Sequence, residues 1–231
     1  MATAVNAAAI IVAGGEGARM QAGRNKVFLE VAGQSILDRS LALMESSPEV
    51  GDIVLVARAA EVKNCERLRA KYRKLTEVVA GGDVRHRSEF AGVQALAARI
   101  DARKIDVVLV HDAVRPFASR ELVRRLLAGI DGAVGCVPGS KVSATTMRVV
   151  DGWLDGRPSN LWAVQTPQAF EATWLLEAHN RAARQGFIGT DTASVIEWAG
   201  GEVAVIEGEA DNIKITTPAD LIRAEKIAAG G

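Results

Sequence analysis

The sequence predicts an α/β protein whose central sheet is mainly parallel and is covered by helices on both faces. Two observations lead to this fold class. Short apolar segments alternate with amphipathic helical patterns along the chain, and the first apolar segment breaks abruptly into a glycine-rich turn. A sheet of this kind is expected to bind its ligands at the carboxyl ends of its strands.

The predicted strands are apolar runs that are too short for helices. They cover residues 8–12, 53–57, 105–110, 133–137 and 203–206, with weaker candidates at 77–80 and 212–216. The predicted helices have apolar residues spaced at three and four, namely Ile36, Leu37, Leu41 and Met44, then Phe90, Val93, Leu96 and Ile100, then Leu122, Leu126 and Leu127. The 231 residues suffice for one large domain or two small ones, and no clear linker divides them.

The turn after the first strand has the composition of a phosphate-binding loop. Gly14, Gly15 and Gly17 allow positive φ and let the backbone approach a ligand closely. Successive N–H groups in such a turn form an anion nest. Arg19 and Lys26 lie seven residues apart, where both could reach the same anion. The pattern predicts phosphate binding, and the alternative is a purely structural turn between strand and helix.

Two familiar nucleotide loops do not fit. No G-x-x-x-x-G-K string followed by Ser or Thr occurs, which excludes a Walker A loop. The dinucleotide fingerprint would need a third glycine where Met20 stands. The next predicted strand ends in Arg58 rather than in the acid that would hold a ribose. A dehydrogenase is therefore disfavoured.

Composition excludes several further classes. The 28 Lys and Arg residues balance the 28 Asp and Glu residues, so no nucleic-acid surface is expected and anion binding must be local. Apolar residues make up 48% of the chain, but no run approaches the roughly 20 residues that span a bilayer. Cys65 and Cys136 suggest no disulfide framework, and the N-terminus lacks the basic segment of a signal peptide. We expect a cytoplasmic protein without membrane or nucleic-acid partners.

Residues 139–161 break the alternation of strands and helices. Apolar and polar residues alternate there around an Asp-Gly turn, which predicts a β-hairpin. A hairpin standing alone is only marginally stable, so it is expected to pack on another surface. A second copy of the same chain is the simplest candidate.

A second glycine-containing turn precedes the helix predicted at 88–100. Gly81 and Gly82 would admit a flat base or a ribose, and Asp83 and Ser88 would supply hydrogen bonds. The alternative for Ser88 is that it caps the N-terminus of that helix.

A polar cluster follows the most apolar strand. Asp112 stands where this architecture places a ligand or metal site, although Arg115 could simply pair with it. His111 is expected to be a hydrogen-bonded structural residue. Lys214 interrupts an otherwise apolar segment near the C-terminus, and burying it is costly unless it meets an anion.

Three further segments have the pattern of helix entries. Residues 165–170 and 189–194 are two of them, and Asp191 is a candidate N-cap in the second. Residues 217–220 predict a capping box with Pro218 at the first helical position, a structural feature.

Six motifs, in order along the chain, resemble those of the 2-C-methyl-D-erythritol 4-phosphate cytidylyltransferase family. They are VAGGEGARM with NK, AGGDVRHRS, HDAVRPF, LWAVQTPQAF, GTDTAS and DNIKIT, and they extend from about Ala8 to the C-terminal helix. Three departures from the family pattern occur. Asn25 stands where a proline usually precedes the lysine, Thr192 stands where an acid is frequent, and an extra residue lies near Arg157.

The resemblance implies a single Rossmann-like nucleotidyltransferase domain over residues 1–231, with a β-arm at about 139–161 that embraces the partner of a homodimer. It also implies a role for each matched residue. CTP is held by Ala13, Gly14, Gly15, Glu16, Gly17, Gly81, Gly82, Asp83, Ser88 and Ala113, while Arg19 and Lys26 also stabilise the transition state. The sugar phosphate is bound or oriented by Asp112, Arg115, Thr190 and Lys214, and by Thr146 and Arg157 from the partner's arm.

The implied reaction transfers CMP from CTP to 2-C-methyl-D-erythritol 4-phosphate. Mg²⁺ is expected to bind mainly through the CTP phosphates, with no protein metal site. Two alternatives remain: transfer of CMP to ribitol 5-phosphate or another polyol phosphate, and a non-catalytic nucleotide-binding protein. The LW before QTPQ favours the erythritol phosphate enzyme over the ribitol enzymes, and the presence of Arg19, Lys26 and Lys214 favours catalysis.

Overall fold

A computed structural model describes residues 5–14 and 25–230. The strands are β1 (Ala7–Val12), β2 (Glu30–Val31), β3 (Gln34–Ser35), β4 (Val50–Ala57), β5 (Leu75–Ala80), β6 (Val107–Asp112), β7 (Gly135–Lys141), β8 (Val149–Val150), β9 (Trp153–Leu154), β10 (Trp162–Val164), β11 (Gln168–Glu171) and β12 (Val203–Glu207). The helices are α1 (Ile36–Ser46), α2 (Val62–Cys65), α3 (Arg85–Asp101), α4 (Arg120–Ala128), α5 (Ala172–Gln185), α6 (Thr192–Trp198) and α7 (Pro218–Ala228).

Eight of these strands form one sheet. Its order is β10–β7–β11–β6–β1–β4–β5, and β12 also pairs with β7. The pairs β1–β4, β1–β6, β4–β5 and β7–β12 are parallel, whereas β10 and β11 run antiparallel to their neighbours. The predicted α/β fold with a mainly parallel sheet is therefore confirmed. The single-domain organisation and the role of the β-arm stay predictions.

The sheet is buried on both faces because its central strands are apolar throughout. In β1, Ala9 and Ile11 join a core cluster with residues of α1 and α4. The alternate residues Ala8 and Ile10 join a second cluster with residues of α3, α5 and α6. This two-sided packing leaves the strand ends as the place where polar side chains can gather. No helix in the described parts of the chain has the length and apolar character needed to cross a bilayer.

Three local predictions were wrong. Within the described chain, residues 212–216 form no strand, and the Ile215 amide donates to the oxygen of Val114, beyond the end of β6, at 2.9 Å. Residues 165–170 do not begin a helix, because Ala169 and Phe170 are fully buried in β11, between β6 and β7. The helix predicted at 88 begins at Arg85, so Ser88 is not its N-cap.

The helix entries at 189–194 and 217–220 were predicted correctly. Asp191 caps α6 in a capping box with Ser194, and Thr217 caps α7 in a capping box with Asp220. Pro218 is the first residue of α7, where its missing N–H costs nothing.

Residues 139–161 contain the predicted hairpin. β8 and β9 pair antiparallel around the turn at Asp151 and Gly152, both of which have positive φ. The apolar side chains of this ribbon face solvent, and Trp153 is 79% exposed. We call residues 139–161 the arm.

Candidate active site

A cavity of about 460 Å³ lies at the carboxyl ends of four parallel strands. Residues that follow β1, β4, β5 and the end of β6 line it, as the fold class predicts. Nine of the predicted site residues lie on its wall: Ala13, Gly14, Lys26, Gly81, Gly82, Asp83, Ser88, Asp112 and Lys214. Gly15, Glu16, Gly17 and Arg19 lie outside the described residues.

Lys26 occupies a short 3₁₀ turn that Asn25 fastens to the end of β1. The Asn25 side chain is buried, and its Nδ2 donates to the Ala13 oxygen at 3.1 Å and to Glu61 Oε2 at 2.7 Å. Its Oδ1 accepts from the Val27 amide at 3.3 Å and so caps the turn. Asn25 therefore fixes the turn by hydrogen bonds, at a position where the family pattern has a proline.

The glycine pair is required by the close approach of α3. A Cβ on Gly81 would lie 2.7 Å from Ser88 Oγ, and one on Gly82 would lie 2.4 Å from Arg87 Cβ. The Ser88 hydroxyl donates to the Val84 oxygen at 3.2 Å. Asp83 is exposed and pairs with Arg87 at 3.0 Å. Any larger residue at 81 or 82 would push the first turn of α3 away from the cavity.

Asp112 is the centre of a charge cluster on the wall of the cavity. Its carboxylate accepts from Arg85 Nε at 3.0 Å and from Lys214 Nζ at 2.7 Å, and its amide donates to the Thr166 hydroxyl at 3.0 Å. Burial would raise the pKa of Asp112, but the charges of Arg85 and Lys214 outweigh it and hold the pKa well below its usual range. The expectation that Lys214 meets an anion is confirmed.

Glu89 extends this cluster into the core. It is fully buried, forms an ion pair with Arg85, and accepts a hydrogen bond from the Thr192 hydroxyl at 2.9 Å. Burial raises the pKa of Glu89 to about 7, against the opposing charge of Arg85. Thr192, which stands where the family pattern often has an acid, thus faces a carboxylate on α3.

Arg85 and Glu89 were not identified from the sequence. A signal was present, because Glu89 lies four residues before Val93 on the core-facing side of α3, and Arg85 lies four residues earlier still. An acid in a buried helical row must find a cation or stay protonated. The row therefore indicates a buried ion pair at the start of α3.

Replacing Glu89 by Gln is expected to change how stability depends on pH. The folded-state pKa of about 7 lies above the ordinary 4.5, so the folded protein retains a proton that the unfolded chain releases. The wild type therefore loses stability as pH rises from about 4.5 to 7, and the Gln variant lacks this loss. The unfolding free energy of the variant, relative to wild type, should rise by roughly 1–3 kcal/mol between pH 5 and pH 8 in urea titrations.

The matched control for this measurement is Glu197→Gln, a change at an exposed glutamate on α6. Parallel pH profiles for wild type and Glu89→Gln would contradict the prediction, because they would mean that Glu89 ionises alike in the folded and unfolded states.

Arg115, Ala113 and Thr190 do not line the cavity of the described chain. Arg115 donates to the Asn212 oxygen at 2.8 Å and the Val164 oxygen at 3.1 Å, so the alternative in which it pairs with Asp112 is wrong. Ala113 is buried and its amide donates to the Val12 oxygen at 3.0 Å. Thr190 is exposed, just before the cap of α6.

Thr146 and Arg157 lie in the arm, away from the cavity of their own chain. The Thr146 hydroxyl donates to the Pro158 oxygen at 3.3 Å, and Arg157 is exposed. His111 is buried, with Nδ1 3.2 Å from the Thr166 hydroxyl, which agrees with a structural role. Burial lowers the pKa of His111 to about 4.

The cavity wall has an excess of positive charge. Lys26, Arg58, Arg85 and Lys214 line it, against the carboxylates of Asp83 and Asp112. Among residues 5–14 and 25–230, no group of three His, Cys, Asp or Glu side chains could hold a metal ion. Glycine turns and several cations at strand ends are suited to a polyphosphate, which needs positive charge and closely approaching backbone.

The sequence profile of the 2-C-methyl-D-erythritol 4-phosphate cytidylyltransferase family matches residues 7–229. The enzyme of that name from Bacillus licheniformis is 41% identical over an alignment of 227 residues that covers 96% of this chain and 96% of that one. The structure of 4-diphosphocytidyl-2C-methyl-D-erythritol synthase from Anaerococcus prevotii superposes with a TM-score of 0.83 at 29% identity, covering 98% of this chain and 97% of that one. The cytidylyltransferase structure from Thermus thermophilus gives a TM-score of 0.71 at 32% identity, covering 96% and 98%.

Proposed function

The chain belongs to the 2-C-methyl-D-erythritol 4-phosphate cytidylyltransferase family, and on that premise we propose that the cavity at the strand ends is its active site. The enzyme transfers CMP from CTP to 2-C-methyl-D-erythritol 4-phosphate in isoprenoid precursor synthesis, giving 4-diphosphocytidyl-2-C-methyl-D-erythritol and pyrophosphate. One observation carries the assignment of the site. Four of the six family motifs meet on the wall of this one cavity, although they are far apart in the sequence.

The reaction is an in-line attack of the substrate's phosphate oxygen on the α-phosphorus of CTP, with pyrophosphate leaving. A phosphate monoester has a second pKa of about 6, so the nucleophile is already ionised at neutral pH and needs no general base. The protein must instead align the two substrates and stabilise the charge that develops on the phosphorus and the leaving group. The four cations on the cavity wall support a mechanism in which the protein supplies positive charge and alignment rather than a general base.

We assign the triphosphate to the turn after β1. The backbone of Ala13, Gly14 and the residues 15–17 would donate to the phosphates, and Arg19 and Lys26 would stabilise the transition state. An arginine presents a planar fork to two phosphate oxygens, whereas a lysine supplies a compact charge. Among the described parts of this turn, Ala13, Gly14 and Lys26 line the cavity.

The remaining contacts divide between the nucleoside and the sugar phosphate. Gly81, Gly82, Asp83 and Ser88 would hold the cytosine and ribose, and Ala113 is assigned to the same nucleotide. Asp112 and Lys214, which line the same cavity, would orient the sugar phosphate. Arg115 and Thr190 do not line the cavity of the described chain. They would contact the sugar phosphate after a change of conformation, or where the bound substrate extends beyond the cavity wall.

The enzyme uses CTP as a substrate, and a Mg²⁺ requirement is part of the proposal. The residues fit a metal held by the nucleotide. The Asp112 carboxylate already accepts hydrogen bonds from Arg85 and Lys214, so it is a poor ligand for a metal ion. When bound to the triphosphate, Mg²⁺ neutralises charge on the phosphate oxygens while keeping several waters. Both cysteines, Cys65 and Cys136, are buried and unpaired, which supports a reducing compartment such as the cytoplasm.

We also propose that the arm packs on the partner of a homodimer. Its ribbon exposes Val149, Val150, Trp153 and Leu154, an apolar set that an isolated hairpin could not keep stable in water. In that arrangement Thr146 and Arg157 would reach the partner's cavity, as the family pattern implies.

Mixing Lys26→Ala and Arg157→Ala subunits is expected to restore activity that neither variant has alone. In a mixed dimer one cavity carries both changes and the other carries none. After exchange of subunits, random pairing should return roughly a quarter of the wild-type activity. Activity that stays at the level of the separate variants, with mixed dimers present by mass spectrometry, would mean that Arg157 acts within its own subunit.

The function is tested by pyrophosphate release from CTP. Release is expected with 2-C-methyl-D-erythritol 4-phosphate and Mg²⁺, and much less with ribitol 5-phosphate. Faster release with ribitol 5-phosphate would transfer the proposal to that substrate, and no release with either would leave only a nucleotide-binding role.

A further inference from the structure

We propose that Arg58 is a further CTP-binding residue, whose guanidinium donates hydrogen bonds to oxygen atoms of the nucleotide. The inference rests on the proposed function of the cavity. Arg58 follows β4, which lies between β1 and β5 in the sheet. It therefore stands between the turn proposed for the triphosphate and the glycine pair proposed for the nucleoside.

The guanidinium of Arg58 has donors that the protein does not fill. In the described chain, its Nε and Nη2 are buried but have no hydrogen-bond acceptor, although the residue lines the cavity. Nη2 lies 3.4 Å from Glu61 Oε1 in an ion pair that is not an aligned hydrogen bond. A buried donor without an acceptor is costly, more so when it is charged, and an acceptor oxygen on a ligand would remove that cost.

Arg58 is held in place by a chain of contacts that also holds Lys26. Glu61 pairs with Arg58 through Oε1, and its Oε2 accepts from Asn25 Nδ2 at 2.7 Å. The same Asn25 amide donates to the Ala13 oxygen, and its Oδ1 caps the turn that begins at Lys26. Arg58, the turn that begins at Lys26 and the end of β1 thus share one partly buried support, which positions them before the nucleotide arrives.

The position of Arg58 in the fold also indicates a ligand contact. In dinucleotide-binding α/β proteins an acid about 20 residues beyond the glycine loop selects the ribose hydroxyl, and an arginine nearby accommodates a phosphate. Here the residue after β4 is a cation, and the nearest acid, Glu61, is turned toward Asn25 and Arg58. A cation at this place is suited to acceptor oxygens of the ribose or of the phosphates.

The test is Arg58→Met, which keeps an unbranched apolar stem and removes the guanidinium with its donors. Calorimetric binding of CTP without the second substrate is expected to weaken by about 10-fold or more, the loss of a charge-assisted hydrogen bond. KM for 2-C-methyl-D-erythritol 4-phosphate should stay near wild type, the melting temperature should not fall, and Arg58→Lys should recover part of the affinity. The matched control is Arg67→Met, a change at an exposed arginine beyond α2.

The same titration with CMP locates the contact. A loss for both CTP and CMP supports a contact to the ribose or the α-phosphate, and a loss for CTP alone supports one to the outer phosphates. Unchanged CTP binding by Arg58→Met, or an equal loss in Arg67→Met, would overturn the inference. A wild-type enzyme that binds CTP but releases no pyrophosphate would overturn the proposed function instead, so the two failures are distinguishable.

Discussion

Replacing Lys26 by alanine is expected to lower kcat by about two to three orders of magnitude, the usual cost of losing one preorganised stabiliser of a developing charge. The KM for CTP should change by less than about 10-fold, because the glycine turn and the other cations of the cavity still bind the ground state. Lys26 lies in a turn whose cap, Asn25, is buried and bonded on two sides, so its charge is held where the phosphates would lie. Steady-state kinetics with each substrate varied in turn measure both constants.

The control for this change is Lys104→Ala, at an exposed lysine remote from the cavity. A large rise in the KM for CTP with unchanged kcat would contradict the transition-state role, since it would show uniform binding of ground state and transition state. The same split is expected for Arg19→Ala, which lies outside the described residues.

Residues at strand ends could be predicted from the sequence because their position follows from local pattern. An apolar run that stops at a polar residue marks a carboxyl end, and in a parallel sheet those ends meet at one edge. Asp112 and the glycine pair were found in this way, and Lys214 was found because a cation in an apolar segment requires an anion. The partner of Lys214 could not be named, since the two residues are 102 positions apart.

Features that depend on distant contacts could not be predicted. The segment of β11 was mistaken for the start of a helix because no local pattern marks it as a strand. It becomes a strand by pairing antiparallel with β6 and β7. In the sequence, Arg58 stood out only because a dinucleotide-binding protein would have an acid there. Its donors without acceptors are seen only in the fold, which brings Glu61 and Asn25 together beside it. The role of Arg115 at the substrate stays a prediction, and no sequence pattern indicated that its guanidinium donates to the backbone oxygens of Asn212 and Val164.

The charge cluster around Asp112 links stability and binding, and two considerations set its expected response to mutation. Asp112 is buried and neutralises both Arg85 and Lys214, so removing its charge leaves two cations close together, of which Arg85 still pairs with Glu89. Breaking a buried pair on one side is costly, typically 3–5 kcal/mol, because the remaining charge stays desolvated. Lys214 is 41% exposed, which reduces that cost here.

Asp112→Asn is therefore expected to destabilise the fold by about 2–4 kcal/mol and to lower kcat/KM for 2-C-methyl-D-erythritol 4-phosphate by two or more orders of magnitude. Urea unfolding and steady-state kinetics measure the two effects. The double variant Asp112→Asn with Lys214→Met should regain part of the stability, because it removes one unpaired cation, but none of the activity. Asp101→Asn, at an exposed residue at the end of α3, is the control.

The double variant separates the two roles of the cluster. If Asp112 and Lys214 form only a structural ion pair and neither contacts the substrate, removing both should restore activity together with stability. If Lys214 also binds the phosphate of the second substrate, stability recovers while KM for that substrate stays high. We expect the second result for two reasons. Lys214 lines the cavity wall. In addition, Arg85 already bonds to the Asp112 carboxylate, so Asp112 does not need a second cation at the position of Lys214. Recovery of both quantities would reduce Asp112 and Lys214 to a structural ion pair.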